Sequence, residues 1–148
     1  MHPTPYTAEQ IRAATKPGRM YRYRVEFTGS PPFERKMTFV SVDAGGATIA
    51  ETGQPQQRFT WEELRKHAEF PAATVQTHDE RVTVPAGTFE CVAYVLHREG
   101  EEETTFYFAK TMPGAPVKYV VNVSGHLELT TTLVEHRPGI DDHANDSR

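Results

Sequence analysis

The chain of 148 residues has one cysteine, Cys91, which leaves no intramolecular disulfide and no multi-cysteine zinc site. It has no run of lysine and arginine, and its formal net charge is −4. Both argue against binding through counterion release from many phosphates, so no nucleic-acid partner is expected. No apolar stretch approaches the roughly 20 residues that span a bilayer, so the chain is not expected to cross a membrane by a helix. The start, Met1-His-Pro-Thr-Pro-Tyr6, has no basic segment followed by an apolar one, and no signal peptide is visible. As written the chain is expected in the cytoplasm, and in the periplasm if a leader has been removed. Also missing are a glycine-rich phosphate loop, a Gly-x-Ser-x-Gly elbow, an HExxH helix and paired catalytic carboxylates at recognisable spacing. No cofactor, no metal and no catalytic residue is therefore expected.

What remains is the composition of a soluble globular protein, 37% hydrophobic and 24% charged without low-complexity tracts. At this length one domain buries roughly two thirds of the surface its unfolded chain exposes. Two segments carry the same helix-start device. Thr7 and Gln10 form a capping box with Tyr6 placed to staple onto Ile11, and Thr60 and Glu63 form another with Phe59 placed to staple onto Leu64. Helices are expected over about 8–15, ending before Pro17-Gly18, and about 61–68, ending before Phe70-Pro71. In the second, Trp61, Leu64 and Ala68 share one face.

The rest reads as antiparallel strands. Tyr21-Arg-Tyr-Arg-Val-Glu-Phe27 alternates strictly, with Tyr21, Tyr23, Val25 and Phe27 on one face. Lys36 to Val42 and Ala47 to Glu51 follow, separated by the turn Asp43-Ala-Gly-Gly46, while Gly53 to Arg58 reads as a polar loop. Val82 to His97 carries two strong strand signals around Pro85-Ala-Gly87 and reads as the central hairpin and spine of the sheet. Both faces of Phe89 to His97 are apolar, which implies cover on both sides. The acidic run Glu99 to Glu103 is a turn whose length stays open between two and three residues. In the last hairpin a three-residue loop, Val123-Ser-Gly125, would place Val117, Tyr119, Val121, Leu127 and Leu129 on one face. Lys118, Val120, Asn122, His126, Glu128 and Thr130 would take the other. The expected organisation is a mainly β, α+β domain over 1–136, a single curved antiparallel sheet or half-barrel with two short helices on one face, followed by a disordered tail over 137–148.

Val84-Pro-Ala-Gly-Thr-Phe89, the aromatic strand ending Phe106-Tyr-Phe-Ala-Lys110, Pro113-Gly-Ala-Pro-Val-Lys118 and the final hairpin together resemble a pattern in uncharacterised bacterial proteins. Those are similar in fold to the periplasmic outer-membrane lipoprotein carriers. The resemblance covers Val82 to His136 and implies a strongly curved antiparallel sheet whose concave side is covered by helices. It carries over no catalytic residue.

Few residues are placed for chemistry. Cys91 and His97 share a strand face, but six residues of strand span about 20 Å, so they are not a nucleophile and its base. Cys91 is expected as a packed core thiol and His67 as a solvated histidine. His78, His136 and His143 find no partner through spacing. One polar constellation arises, Lys118, Asn122, His126 and Glu128, which would serve as an acid/base pair or a partial metal site. The function expected is a non-catalytic binding module holding an apolar or lipid-like ligand between the curved sheet and its helices, with Tyr21, Tyr23, Val25, Phe27, Trp61 and Leu64 lining the space. The alternatives are an enzyme or metal-dependent site at His126 and Glu128, and a structural or protein-partner domain using a strand edge.

Overall fold

The computed structural model describes residues 1–140. Helix α1 (Ala8–Ala14) precedes strands β1 (Met20–Phe27), β2 (Phe33–Val42), β3 (Gly46–Glu51) and β4 (Gln57–Thr60). Helix α2 (Trp61–Lys66) then leads to β5 (Val75–Val84), β6 (Gly87–His97), β7 (Glu102–Ala109), β8 (Lys118–Val123) and β9 (His126–Arg137). All pairings are antiparallel and form one nine-stranded sheet, ordered β4-β3-β2-β1-β9-β8-β7-β6-β5.

This order consists of two meanders that meet where β1 pairs β9. The link from β4 to β5 joins opposite edges of the sheet, so it has to cross one face. Eight inter-strand steps of about 4.8 Å would separate those edges by about 38 Å in a flat sheet. The segment from Trp61 to Thr74, part helix and part extended, reaches about 36 Å at most. Residues of β3 and of β7, with four strands between them in the order, line one common cavity, so the sheet curves and α2 lies across its concave side. Both capping boxes form: Thr7 and Thr60 accept from the amides of Gln10 and Glu63, whose side chains accept from the cap amides. Each helix is too short to persist alone and is held by docking its apolar face on the sheet.

Several elements differ from the expectations above. The Val82 to His97 hairpin is not central. β5 is an edge strand, β6 lies beside it, and the centre belongs to β1 and β9. Its tip is nevertheless tied inward, because the Ala86 amide donates to the Leu133 carbonyl at 3.2 Å. The polar segment 53–58 ends in a strand, since Gln57 to Thr60 add to β3 as β4. The acidic turn closes a three-residue loop, with the Arg98 amide donating to the Glu102 carbonyl at 2.8 Å.

The last hairpin has a two-residue loop. Val123 pairs His126 and Asn122 pairs Leu127, around Ser124 and Gly125, whose φ values of 51° and 79° suit the left-handed pair of a type I′ turn. The Ser124 amide and hydroxyl are held by Glu101 of the neighbouring loop, which supports a positive φ at a serine. A bulge between Val121 and Asn122 then restores Val121 opposite Leu129. Leu127 is thereby paired with Asn122 and is 53% exposed, off the apolar face expected for it. At the other end, Arg137 still belongs to β9, and the Ile140 amide donates to the Pro17 carbonyl at 2.9 Å. The rest of the expected tail, with His143, lies outside the described residues.

A cavity between the sheet and the α2 crossing

The concave side holds a cavity of about 480 Å³ that is partly open to solvent. Ile11 of α1, Leu64 of α2 and His67 and Ala68 just after it form its roof, joined by Phe59 of β4 and Phe70 of the crossing segment. Met37 and Phe39 of β2 and Ile49 and Glu51 of β3 form one wall. Phe106 and Phe108 of β7, Tyr119 of β8 and the Gly114-Ala-Pro116 loop form the other. The lining is apolar except for Glu51, His67 and Tyr119, a composition that suits an apolar ligand oriented by a few polar groups.

Of the residues expected to line this space, Leu64 does. Tyr21, Tyr23, Val25 and Trp61 are buried but stand outside the lining, and Phe27, at the far end of β1, is 46% exposed. The β7–β8 connection explains this. It folds over β1, so that the Tyr23 hydroxyl donates to the Pro116 carbonyl at 2.8 Å and Gly114 packs against the Tyr21 hydroxyl. The aromatic face of β1 thus supports a loop, and the loop forms the wall. Trp61 is turned away to donate its indole N–H to the Asp43 carbonyl at 3.1 Å. Phe39, Ile49, Phe106 and Phe108 are legible as strand apolar positions, but their meeting across the sheet depends on curvature that local alternation does not carry.

Beneath the Gly114 loop lies a polar cluster that sequence spacing does not reveal. Arg19 is 1% exposed. Its Nε donates to His136 Nε2 at 3.0 Å, its Nη1 donates to the Thr15 hydroxyl at 3.0 Å, and its guanidinium lies over the Tyr21 ring. No carboxylate pairs with it among the described residues. Burial, and secondarily the Arg19 charge, hold the His136 ring down to about 4, so the ring is neutral and accepts the Arg19 proton donor. Burial pushes the Tyr21 phenol up, offset in part by the Arg19 charge and by the Ala115 backbone beside its hydroxyl. These groups pack too closely against Gly114 to leave a space.

The remaining candidates are dispersed. Cys91 is fully buried in the core, and its thiol is pushed up to about 11 by burial. His67, the residue capping the C-terminus of α2, is exposed but presents its ring to Phe59 with centroids 5.5 Å apart at the cavity. His78 meets Glu80 at 2.9 Å on the exposed edge strand. His126 and Glu128 are both exposed, neither lines the cavity, and the pairing that would set His126 opposite Asn122 does not form. Lys118 lies over the Tyr107 ring. Among the described residues, no group of three or more His, Cys, Asp or Glu is placed to hold a metal ion, and no helix is long and apolar enough to cross a membrane.

No family model matches the chain, and no curated protein matches it. Solved structures do. The fold is similar to that of MucB in the Pseudomonas aeruginosa MucA/MucB complex, with a TM-score of 0.56 at 11% identity over 87% of this chain and 54% of that one. MucB in complex with MucA(peri) gives a TM-score of 0.57 at 10% identity over 90% and 55%. A Bacteroides fragilis protein with a YmcC-like fold gives 0.50 at 12% identity over 83% of this chain and 97% of that one. The chain spans little more than half of MucB. At these identities the likeness is one of fold.

Proposed function

We propose that this domain is a non-catalytic binding module that holds an apolar, lipid-like molecule in the cavity between the sheet and the α2 crossing. The observation that carries this reading is the cavity itself. It lies within the size range of small-molecule sites, and its wall is built from side chains of both meanders, α1 and α2. The aromatic side chains around it, Phe59, Phe70, Phe106 and Phe108, offer large apolar contact without unmet polar groups.

The test is the neutral fluorophore N-phenyl-1-naphthylamine, whose emission rises in apolar surroundings. It should bind the wild-type protein saturably, and Ala68→Phe, which places a ring inside the cavity, should abolish the rise while thermal stability is kept. Equal binding by the two proteins would place the probe elsewhere and defeat the reading.

Protein recognition is the second reading. MucB, of similar fold, was solved with a protein partner, and the open sheet here ends in two edge strands, β4 and β5, that could accept a partner strand. Partner capture that survives Ala68→Phe but is lost when proline replaces Thr77 on β5 would favour it.

A further inference from the structure

Polarity along the cavity follows the strand direction. Phe39 pairs Ile49 and Met37 pairs Glu51, and on the opposite wall Phe106 pairs Tyr119. The inner end, at Ile11, Phe39 and Phe108, is almost fully buried and wholly apolar. The outer end, one pair along, presents Glu51 and Tyr119. Between these two stands Arg35, on the same face of β2 as Met37 and Phe39 and about 13 Å along the strand from Phe39.

Arg35 is held in place but poorly satisfied. Its Nη1 lies 3.4 Å from Glu51 Oε1 and its Nη2 lies 3.4 Å from the Tyr119 hydroxyl. Good charge-assisted bonds run about 2.7–2.9 Å. The guanidinium rests on the Tyr23 ring at 5.6 Å. Arg35 is not itself part of the lining, but its guanidinium touches two residues that are, Glu51 and Tyr119, and its side chain keeps 35% of its exposure, so a planar fork of donors stands beside the polar end of the cavity within reach of solvent.

Building on the binding reading above, we propose that Arg35 anchors the oxyanion head of a single-chain amphiphile whose alkyl tail fills the cavity. The ligand class is then a long-chain acid, a carboxylate or phosphate monoester. Glu51 sets the counter-tension: it occupies one side of the guanidinium in the free protein and opposes an incoming anion.

Dodecanoate, dodecyl phosphate and dodecanol titrated into the full chain by calorimetry separate the possibilities. Both acids should bind at least about tenfold more tightly than the alcohol, the scale of one hydrogen bond to a charged group. Arg35→Gln should remove that advantage and leave dodecanol binding unchanged. Glu51→Gln should tighten the acids severalfold and leave the alcohol alone, and it supplies the test if Arg35→Gln folds poorly. The ratio between the two acids tells which head the site prefers. Equal binding of acid and alcohol to the wild type, or an acid advantage that persists in Arg35→Gln, would overturn the anchor while leaving the cavity reading intact. Failure of all three ligands to bind would overturn both.

Discussion

Acid should weaken this fold through one histidine. His136 is neutral when folded because burial and the Arg19 charge hold it down to about 4, against an ordinary value of 6.5. Above 6.5 the ring is neutral in both states and costs nothing. As the pH falls through 6.5 the unfolded chain takes up a proton that the folded chain refuses, so stability is lost progressively until about 4, where the folded ring also titrates. Each tenfold loss of proton affinity is worth about 1.4 kcal/mol, which would give about 3 kcal/mol for a fully sequestered ring. The ring is only partly buried, and solvent screening lowers this to about 1–2 kcal/mol. The control is His136→Gln, whose side-chain oxygen still accepts from Arg19 Nε but does not titrate. Urea unfolding followed by Trp61 fluorescence, from pH 7.5 to 4.5, should show the wild type losing about 1–2 kcal/mol more than the variant. The surface carboxylates held low by arginine partners, Glu62 and Glu135 among them, affect both proteins alike. Parallel stability curves would refute the buried neutral histidine.

Other expectations follow from the same packing. Gly114→Ala should cost about 2–3 kcal/mol, lowering Tm by roughly 5–10 °C in a melting curve, because an added Cβ meets the Tyr21 hydroxyl and the Arg19 guanidinium and the residue sits at φ +146°. Thr60→Ala should cost about 1 kcal/mol by uncapping α2, and should weaken fluorophore binding because that helix roofs the cavity. Cys91 should react with a thiol reagent only on the timescale of unfolding, since the thiol is buried and pushed up to about 11.

Much of the fold is legible in the sequence because its signals are local. A capping box needs three residues of spacing, so Thr7-Gln10 and Thr60-Glu63 place both helices. Strict alternation from Tyr21 to Phe27 marks β1. The final hairpin departs from its expected register because a polar and apolar tally favours a longer loop, whereas Glu101 holds Ser124 in a tight turn and the bulge repairs the pattern afterward. The hairpin expected as the spine lies at an edge for a related reason. Strong β propensity in Val82 to His97 reports apolar side chains that pack, not a place in the strand order, and Val82, Val84, Cys91, Tyr94 and Leu96 are buried even beside the edge of the sheet.

The candidate site is legible only in its outline. A space between sheet and helices follows from amphipathic elements of both kinds, and Leu64 lines it as its helix face implies. The wall is hidden from sequence reasoning because the Gly114-Ala-Pro116 loop, a turn by composition, interposes itself between β1 and the cavity. Arg19 and His136 are 117 positions apart, and no spacing rule connects them. Arg35 falls just before the strand expected from Lys36, and its place beside the polar end of the cavity depends on Glu51 and Tyr119 arriving from other strands.

The most direct measurement is an amide and methyl NMR titration of the full chain with dodecanol, the neutral ligand that isolates the cavity from its mouth. Perturbations centred on Ile11, Ile49, Leu64 and Ala68, with little change at the β4 and β5 edges, are the predicted result. Saturable binding that leaves those groups unmoved, or perturbations confined to the edge strands, would contradict the cavity as the seat of function.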